Sequence, residues 1–306
     1  LAESVRQPFV FRILGPYAVG LLPFSIDNSF LVLSISSGLM LSLIFYLYLS
    51  ASAFEPSISA LATILFILNK YFFGFPAWNF FQVNDILSQI EIVLMMWAMT
   101  SQKWLLFGIV LFFGSLTKET PLIMIPVAFI YLVDTHTFEK KWMNVLAAIL
   151  PGCLAAIAMR MTLHSEGGNS LYQAVFVYAD KLILPETWFR LLINSLIPFS
   201  LLPLIFIDST KNYFRTRRYA LVYFILVLIS TLFGYNNERL MAPVFIVFYP
   251  LIATIIRDRI AQSRQTYLMI ISTALIASVH HTYARFPLQR DVTILLSLLA
   301  FAIVTF

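Results

Sequence analysis

Apolar runs follow one another along almost the whole chain, separated by short polar turns, and this spacing constrains the fold more than any single residue does. A spanning helix needs about 20 mostly apolar residues to cross a hydrocarbon core about 30 Å thick. Such runs occupy 29–53, 57–72, 84–101, 104–117, 121–135, 142–163, 188–207, 218–235, 240–257, 266–284 and 292–306. Of the 306 residues, 60% are hydrophobic and 11% charged, with mean hydropathy +0.86. A water-soluble domain is roughly half apolar and about a quarter charged. A soluble fold of this length has too little interior to hide so much apolar surface, so lipid must solvate much of it. The sequence therefore predicts an all-α protein, a polytopic transmembrane helical bundle of about ten to eleven spans. The stretch from Phe9 to Phe24, with Arg12, Gly15 and Pro16, reads as an interfacial helix. No linker or repeat divides the chain, so 1–306 reads as one transmembrane domain. It begins at Leu1 rather than Met and ends at Phe306 inside an apolar run, which reads as a fragment lacking a first span and first loop.

The single cysteine, Cys153, lies among apolar neighbours, which excludes an internal disulfide and a Cys-based zinc site. The net charge of +5 points to anionic headgroups or anionic lipid substrates rather than to nucleic acid, because no Arg/Lys-rich arm with interleaved aromatics is present. No Walker loop, dinucleotide fingerprint, His-Glu-x-x-His or Gly-x-Ser-x-Gly occurs, so nucleotide-driven transport and serine or zinc hydrolysis have no motif behind them.

The densest basic stretches are Lys140 and Lys141, then Lys211, Arg215, Arg217 and Arg218, then Arg257, Arg259 and Arg264. Threading the spans in alternation puts all of these on one side, which the positive-inside bias makes cytoplasmic. The remaining polar features then collect on the extracytoplasmic side. They are Asp85, Lys118-Glu119, the loop from His164 to Thr187, Asn236-Asn237-Glu238-Arg239 and His280-His281.

Lys118-Glu119 is the sharpest of these. The run from Trp104 to Thr117 rises only about 21 Å as a helix, short of the ~30 Å core, so its tip should lie below the outer surface. Charges at that depth usually line a cavity or a pathway. Thr120-Pro121 has the form of an N-cap followed by Pro at the first helical position. The next helix would then aim its positive end at the neighbourhood of Lys118, a combination suited to phosphate. The alternative is that Lys118 and Glu119 pair with each other in a tight turn. Arg239 repeats the arrangement, ahead of a helix with Pro243 near its start, and a guanidinium there suits phosphate or carboxylate. Asp85 reads as a general base, as a carboxylate able to bind a metal, or as a simple N-cap. Glu91 is deeper and needs a partner, for which Lys70 is available. Adjacent His280 and His281 would point about 100° apart on a helix and do not form a shared metal site. No metal or cofactor is assigned.

Gly114-Ser115-Leu116-Thr117-Lys118-Glu119-Thr120-Pro121, running into Ile123-Met124-Ile125-Pro126, resembles a segment of the polytopic GT-C-type glycosyltransferases, the superfamily of protein mannosyltransferases and aminoarabinose transferases. Pro8-Phe9-Val10-Phe11-Arg12-Ile13-Leu14-Gly15-Pro16 and Asn237-Glu238-Arg239-Leu240-Met241-Ala242-Pro243 are similar in character. The resemblance implies a multi-pass enzyme, a hexosyl- or pentosyltransferase of a bacterial inner membrane. Such an enzyme moves a sugar with inversion from a polyprenyl-phosphate-linked donor to an acceptor at the extracytoplasmic face. Lys118 and Arg239, with Glu119 and Glu238 beside them, would hold the carrier phosphate. The family's catalytic acid sits in the first extracytoplasmic loop, which places it upstream of Leu1, with Glu3 and Asp27 nearest in position. The implied partners are the lipid-linked donor and membrane lipid, and not nucleic acid. Two other readings stay open: a transporter or flippase for a lipid-linked sugar, with polar groups along a path through the bilayer, and a polymerase or ligase of surface polysaccharide.

Overall fold

The computed structural model describes residues 11–69, 79–163, 183–192, 202–231, 237–260 and 263–282, with side chains for all of these except 189–190, 237–238 and 276–282. The predicted spans at 292–306 and most of the 164–187 loop lie outside the described residues. Every regular element among the described residues is helical. In chain order they are α1 Leu14–Gly20, α2 Ile26–Ala51, α3 Pro56–Ile67, α4 Val83–Thr100, α5 Trp104–Thr117, α6 Met124–Asp134, α7 Phe138–Thr162, α8 Pro185–Leu192, α9 Leu202–Ile205, α10 Ile207–Thr216, α11 Arg218–Ser230, α12 Asn237–Met241, α13 Phe245–Arg259 and α14 Arg264–Thr282.

Among the described residues, three stretches are long and apolar enough to cross a membrane: Ile26–Ala51, Phe138–Thr162 and Arg239–Arg259. The first two are apolar yet mostly exposed, with Leu39, Leu43, Leu150 and Leu154 all facing outward. Water does not tolerate so continuous an apolar surface, and lipid does. The third stretch is mostly buried. Phe66 of α3 stacks on Phe245 of α13 with ring centroids 4.3 Å apart, and Phe45 of α2 packs edge-on against Phe245 at 5.3 Å. The other predicted spans among the described residues are shorter helices. The N-terminal interfacial segment contains the seven-residue α1.

Small residues set the closest helix contact. A Cβ on Gly108 of α5 would lie 2.6 Å from the Ala148 carbonyl oxygen of α7, and one on Gly152 would lie 2.9 Å from Leu111 Cγ. Ala148 and Gly152 are one turn apart, a small-xxx-small face of the kind that lets membrane helices touch backbone to backbone.

Helices α4 to α7 follow one another through tight turns, and these turns differ at the two ends. Between α2 and α3, α4 and α5, and α6 and α7, the chain turns through Ala53, Gln102 and His136, each at positive φ. These are left-handed caps. Lys103 N–H bonds to Ala98 O at 2.8 Å and Gln102 N–H to Met99 O at 3.0 Å, and Thr137 N–H and His136 N–H repeat the pattern onto Leu132 O and Val133 O. This paired closure satisfies the last helical carbonyls within a few residues. The same end is basic. Arg218 Nε lies 3.7 Å from Asp134, Tyr219 N–H bonds to the same carboxylate at 3.0 Å, and Lys141 bonds to Gln102. At the other end the turns contain proline. Short 3₁₀ segments, Thr120–Ile123 with Pro121 and Ala242–Val244 with Pro243, lead into α6 and α13.

Candidate functional site

The proline-turn end draws together residues that are remote in sequence. Helix α5 has only 14 residues and stops where Lys118 becomes fully extended, at φ −165° and ψ 165°. Its N–H still bonds to Gly114 O at 3.0 Å, so the helix is closed and only the side chain is redirected. Lys118 reaches Asp85 Oδ1 in the first turn of α4 at 2.7 Å. Asp85 Oδ2 lies 3.3 Å from Arg239 Nε in α12, and Arg239 also bonds to Gln82. One carboxylate thus bridges an ammonium and a guanidinium from two other helices. Lys118 is 5% exposed and Asp85 14%.

A second pair lies one residue away. Arg12 Nη2 is 3.1 Å from Glu119 Oε2. Arg12 is placed by the backbone, because Ile13 N–H bonds to Leu116 O at 3.0 Å, and Phe11 lies under the Arg160 guanidinium of α7 at 5.6 Å. The segment before α1 is therefore fastened across the tip of α5. Beneath it lies Glu91, which is buried. Its Oε1 accepts a hydrogen bond from Thr117 Oγ1 at 2.5 Å, and its Oε2 has no hydrogen-bond partner. Gly114 makes room for this layer, since a Cβ there would sit 2.8 Å from Pro121 Cβ and 3.4 Å from Glu91 Oε2.

The sequence reading singled out Asp85, Lys118, Glu119, Arg239 and Glu238. The structure brings Asp85, Lys118 and Arg239 into contact and sets Glu119 beside them with Arg12. The Glu238 side chain, both histidine side chains at 280 and 281, and Lys70 lie outside the described residues. Three local readings change. Lys118 and Glu119 do not pair with each other, because extended backbone at Lys118 sends the two side chains to different partners. Asp85 is not an N-cap: Gln82 holds that position, and Asp85 faces cations. Thr120 is not the cap of a regular helix either, since Glu119 precedes a short 3₁₀ turn with no side-chain capping bond. Arg12, Gln82 and Thr117 also belong to the cluster, and the sequence did not single them out as site residues. The only sequence signal for Arg12 was its place in a motif-like segment.

Among the described residues, no three His, Cys, Asp or Glu side chains form a group that could hold a metal. As arranged, both oxygens of Asp85 are engaged by cations, which suits it to fixing Lys118 and Arg239 more than to accepting a proton. Among the described residues the cluster brings the cations Arg12, Lys118 and Arg239 together with the carboxylates Asp85 and Glu119, and Glu91 lies beneath them. Guanidinium and ammonium groups fixed in a poorly solvated setting are the donor types that suit an anion. Comparison with protein families, with curated proteins and with solved structures finds no match.

Proposed function

We propose that this chain is a membrane glycosyltransferase that moves a sugar from a polyprenyl-phosphate-linked donor to an acceptor at the extracytoplasmic face, within a bundle of about ten to eleven spans. The observation that carries this reading is the bridge Lys118–Asp85–Arg239, which presets two cations from separate helices beside one carboxylate. Such a pair suits a substrate whose lipid tail stays in the bilayer while its phosphate reaches the surface. In this reading Lys118 and Arg239 hold the carrier phosphate, Arg12 adds a third positive group, and Asp85 and Glu119 position them. Holding the phosphate supports departure of the carrier, because charge collects on the phosphate as the glycosidic bond breaks. The proline-turn end is extracytoplasmic because the other end carries Lys140, Lys141, Arg217, Arg218, Arg257 and Arg259. The resemblance of 114–126 and 237–243 to GT-C enzymes points the same way.

The test is transfer of radiolabelled sugar from a lipid-linked donor by the full-length protein in proteoliposomes. Lys118→Ala and Arg239→Ala should each abolish product. Normal turnover in both variants would overturn the reading, and transbilayer movement of the labelled lipid with no glycosidic product would replace it with a flippase.

A further inference from the structure

The opposite end of the bundle contains a feature that the glycosyltransferase reading does not use. Helix α10 packs beside the last turn of α13, and between them lies a cleft of about 390 Å³. This is within the usual size of ligand pockets, roughly 300–1,000 Å³. Its polar walls include Arg217, Arg257, Arg259, Asp208 and Asp258. Both acids have local structural roles. Asp258 pairs with its neighbour Arg257 at 2.8 Å, and Asp208 lies in the first turn of α10, where a negative charge complements the helix dipole.

Arg217 and Arg259 are different. Among the described residues neither makes an ion pair. Arg259 Nε donates to the neutral Ser209 hydroxyl at 3.1 Å, and Arg217 lies over the Tyr213 ring at 4.8 Å with Thr216 as a hydroxyl contact. Both guanidinium groups are therefore held in place without being neutralised. Burial pushes the Tyr213 phenol above its usual range, so that wall stays uncharged. Leu204, Ile205 and Ile207, just ahead of Asp208, are all exposed. The chain segment that supplies part of the polar wall therefore also presents apolar side chains at the surface.

We propose that this cleft binds a phosphate group, specifically the headgroup of an anionic phospholipid, through Arg217 and Arg259, with the acyl chains against Leu204, Ile205 and Ile207. The site is separate from the Lys118–Asp85–Arg239 cluster. The stretch Arg239–Arg259 is 21 residues long, which as helix places the two basic sites about 30 Å apart, one membrane core. A planar guanidinium fork recognises phosphate through paired N–H donors, and two of them on converging elements select an anionic headgroup over a zwitterionic one.

The experiment uses the full chain in detergent micelles, titrated with phosphatidylglycerol and with phosphatidylcholine, with bound lipid counted by native mass spectrometry. The wild type should retain phosphatidylglycerol in preference. The R217Q/R259Q variant should bind it about tenfold more weakly, the worth of one charge-assisted contact. K211Q/R215Q removes the same charge from exposed positions of α10 outside the cleft and should stay within about twofold of wild type. Competition with inorganic phosphate separates the sources: displacement at millimolar levels assigns the cleft to a soluble phosphate compound, and no displacement assigns it to the lipid headgroup. The proposal is overturned if R217Q/R259Q binds like wild type or if K211Q/R215Q loses as much. Circular dichroism checks folding. If the double variant does not fold, Arg259→Gln alone, an exposed side chain, is judged by the same comparison.

Discussion

Replacing Asp85 with Asn removes the charge that holds Lys118 and Arg239 together while keeping the shape of the side chain. Lys118 is 5% exposed, and Asp85, at 2.7 Å, is its ion-pair partner. Removing one member of a buried pair costs about 3–5 kcal/mol, because the other charge is left in a poorly solvated place. The lower end, about 3 kcal/mol, applies here, since the amide oxygen still accepts a hydrogen bond from the ammonium. Arg239 is 20% exposed and also bonds to Gln82, so it adds little to this cost. The matched change Glu119→Gln affects a carboxylate that is one-third exposed, and should cost no more than about 1 kcal/mol. Adding Lys118→Met to Asp85→Asn should restore most of the lost stability, because an apolar side chain replaces the stranded charge. Unfolding in SDS followed by tryptophan fluorescence measures all of these. A loss below about 1 kcal/mol for Asp85→Asn, or no recovery with Lys118→Met, would refute a buried, mutually dependent cluster.

Three further perturbations probe its surroundings. Thr117→Val takes the hydroxyl from Glu91 and leaves a buried carboxyl with neither oxygen bonded, which should cost about 1–3 kcal/mol in the same unfolding assay. Gly108→Ala drives a methyl into the Ala148 backbone, and separating α5 from α7 should cost about 1–3 kcal/mol. Ala53→Gly relieves a left-handed cap at φ 62° and should raise stability by up to about 1 kcal/mol, read as a higher melting temperature.

The sequence expressed the helices well because each is a local apolar run. The runs 84–101, 104–117 and 121–135 correspond to Val83–Thr100, Trp104–Thr117 and Thr120–Asp134 within a residue or so. Elements without a local signal were missed. Helix Ile207–Thr216 carries Asp208, Lys211 and Arg215, so hydropathy reads it as a loop, although packing against α13 orders it. The caps at Ala53, Gln102 and His136 lack the glycine that marks such turns, and only the hairpin geometry enforces positive φ there. At the candidate site, the short helix before Lys118 and the matching prolines at 121 and 243 are visible in the sequence, and they point to Lys118 and Arg239, which the structure brings to one carboxylate. The partners were not. Asp85 and Lys118 are 33 positions apart, and Arg12 and Glu119 are 107 apart. Pairs formed by tertiary packing leave no periodicity in a single sequence.

The central claim is that Lys118 and Arg239 together receive the phosphate of a lipid carrier. Equilibrium binding of sugar-free polyprenyl phosphate to the full-length protein in zwitterionic nanodiscs tests it most directly. Lys118→Met and Arg239→Gln should each weaken binding about tenfold or more, while Glu139→Gln, an exposed change in the first turn of α7, should leave it unchanged. Equal affinity in wild type, Lys118→Met and Arg239→Gln would contradict the account and leave the cluster as a clasp that only joins the helix ends.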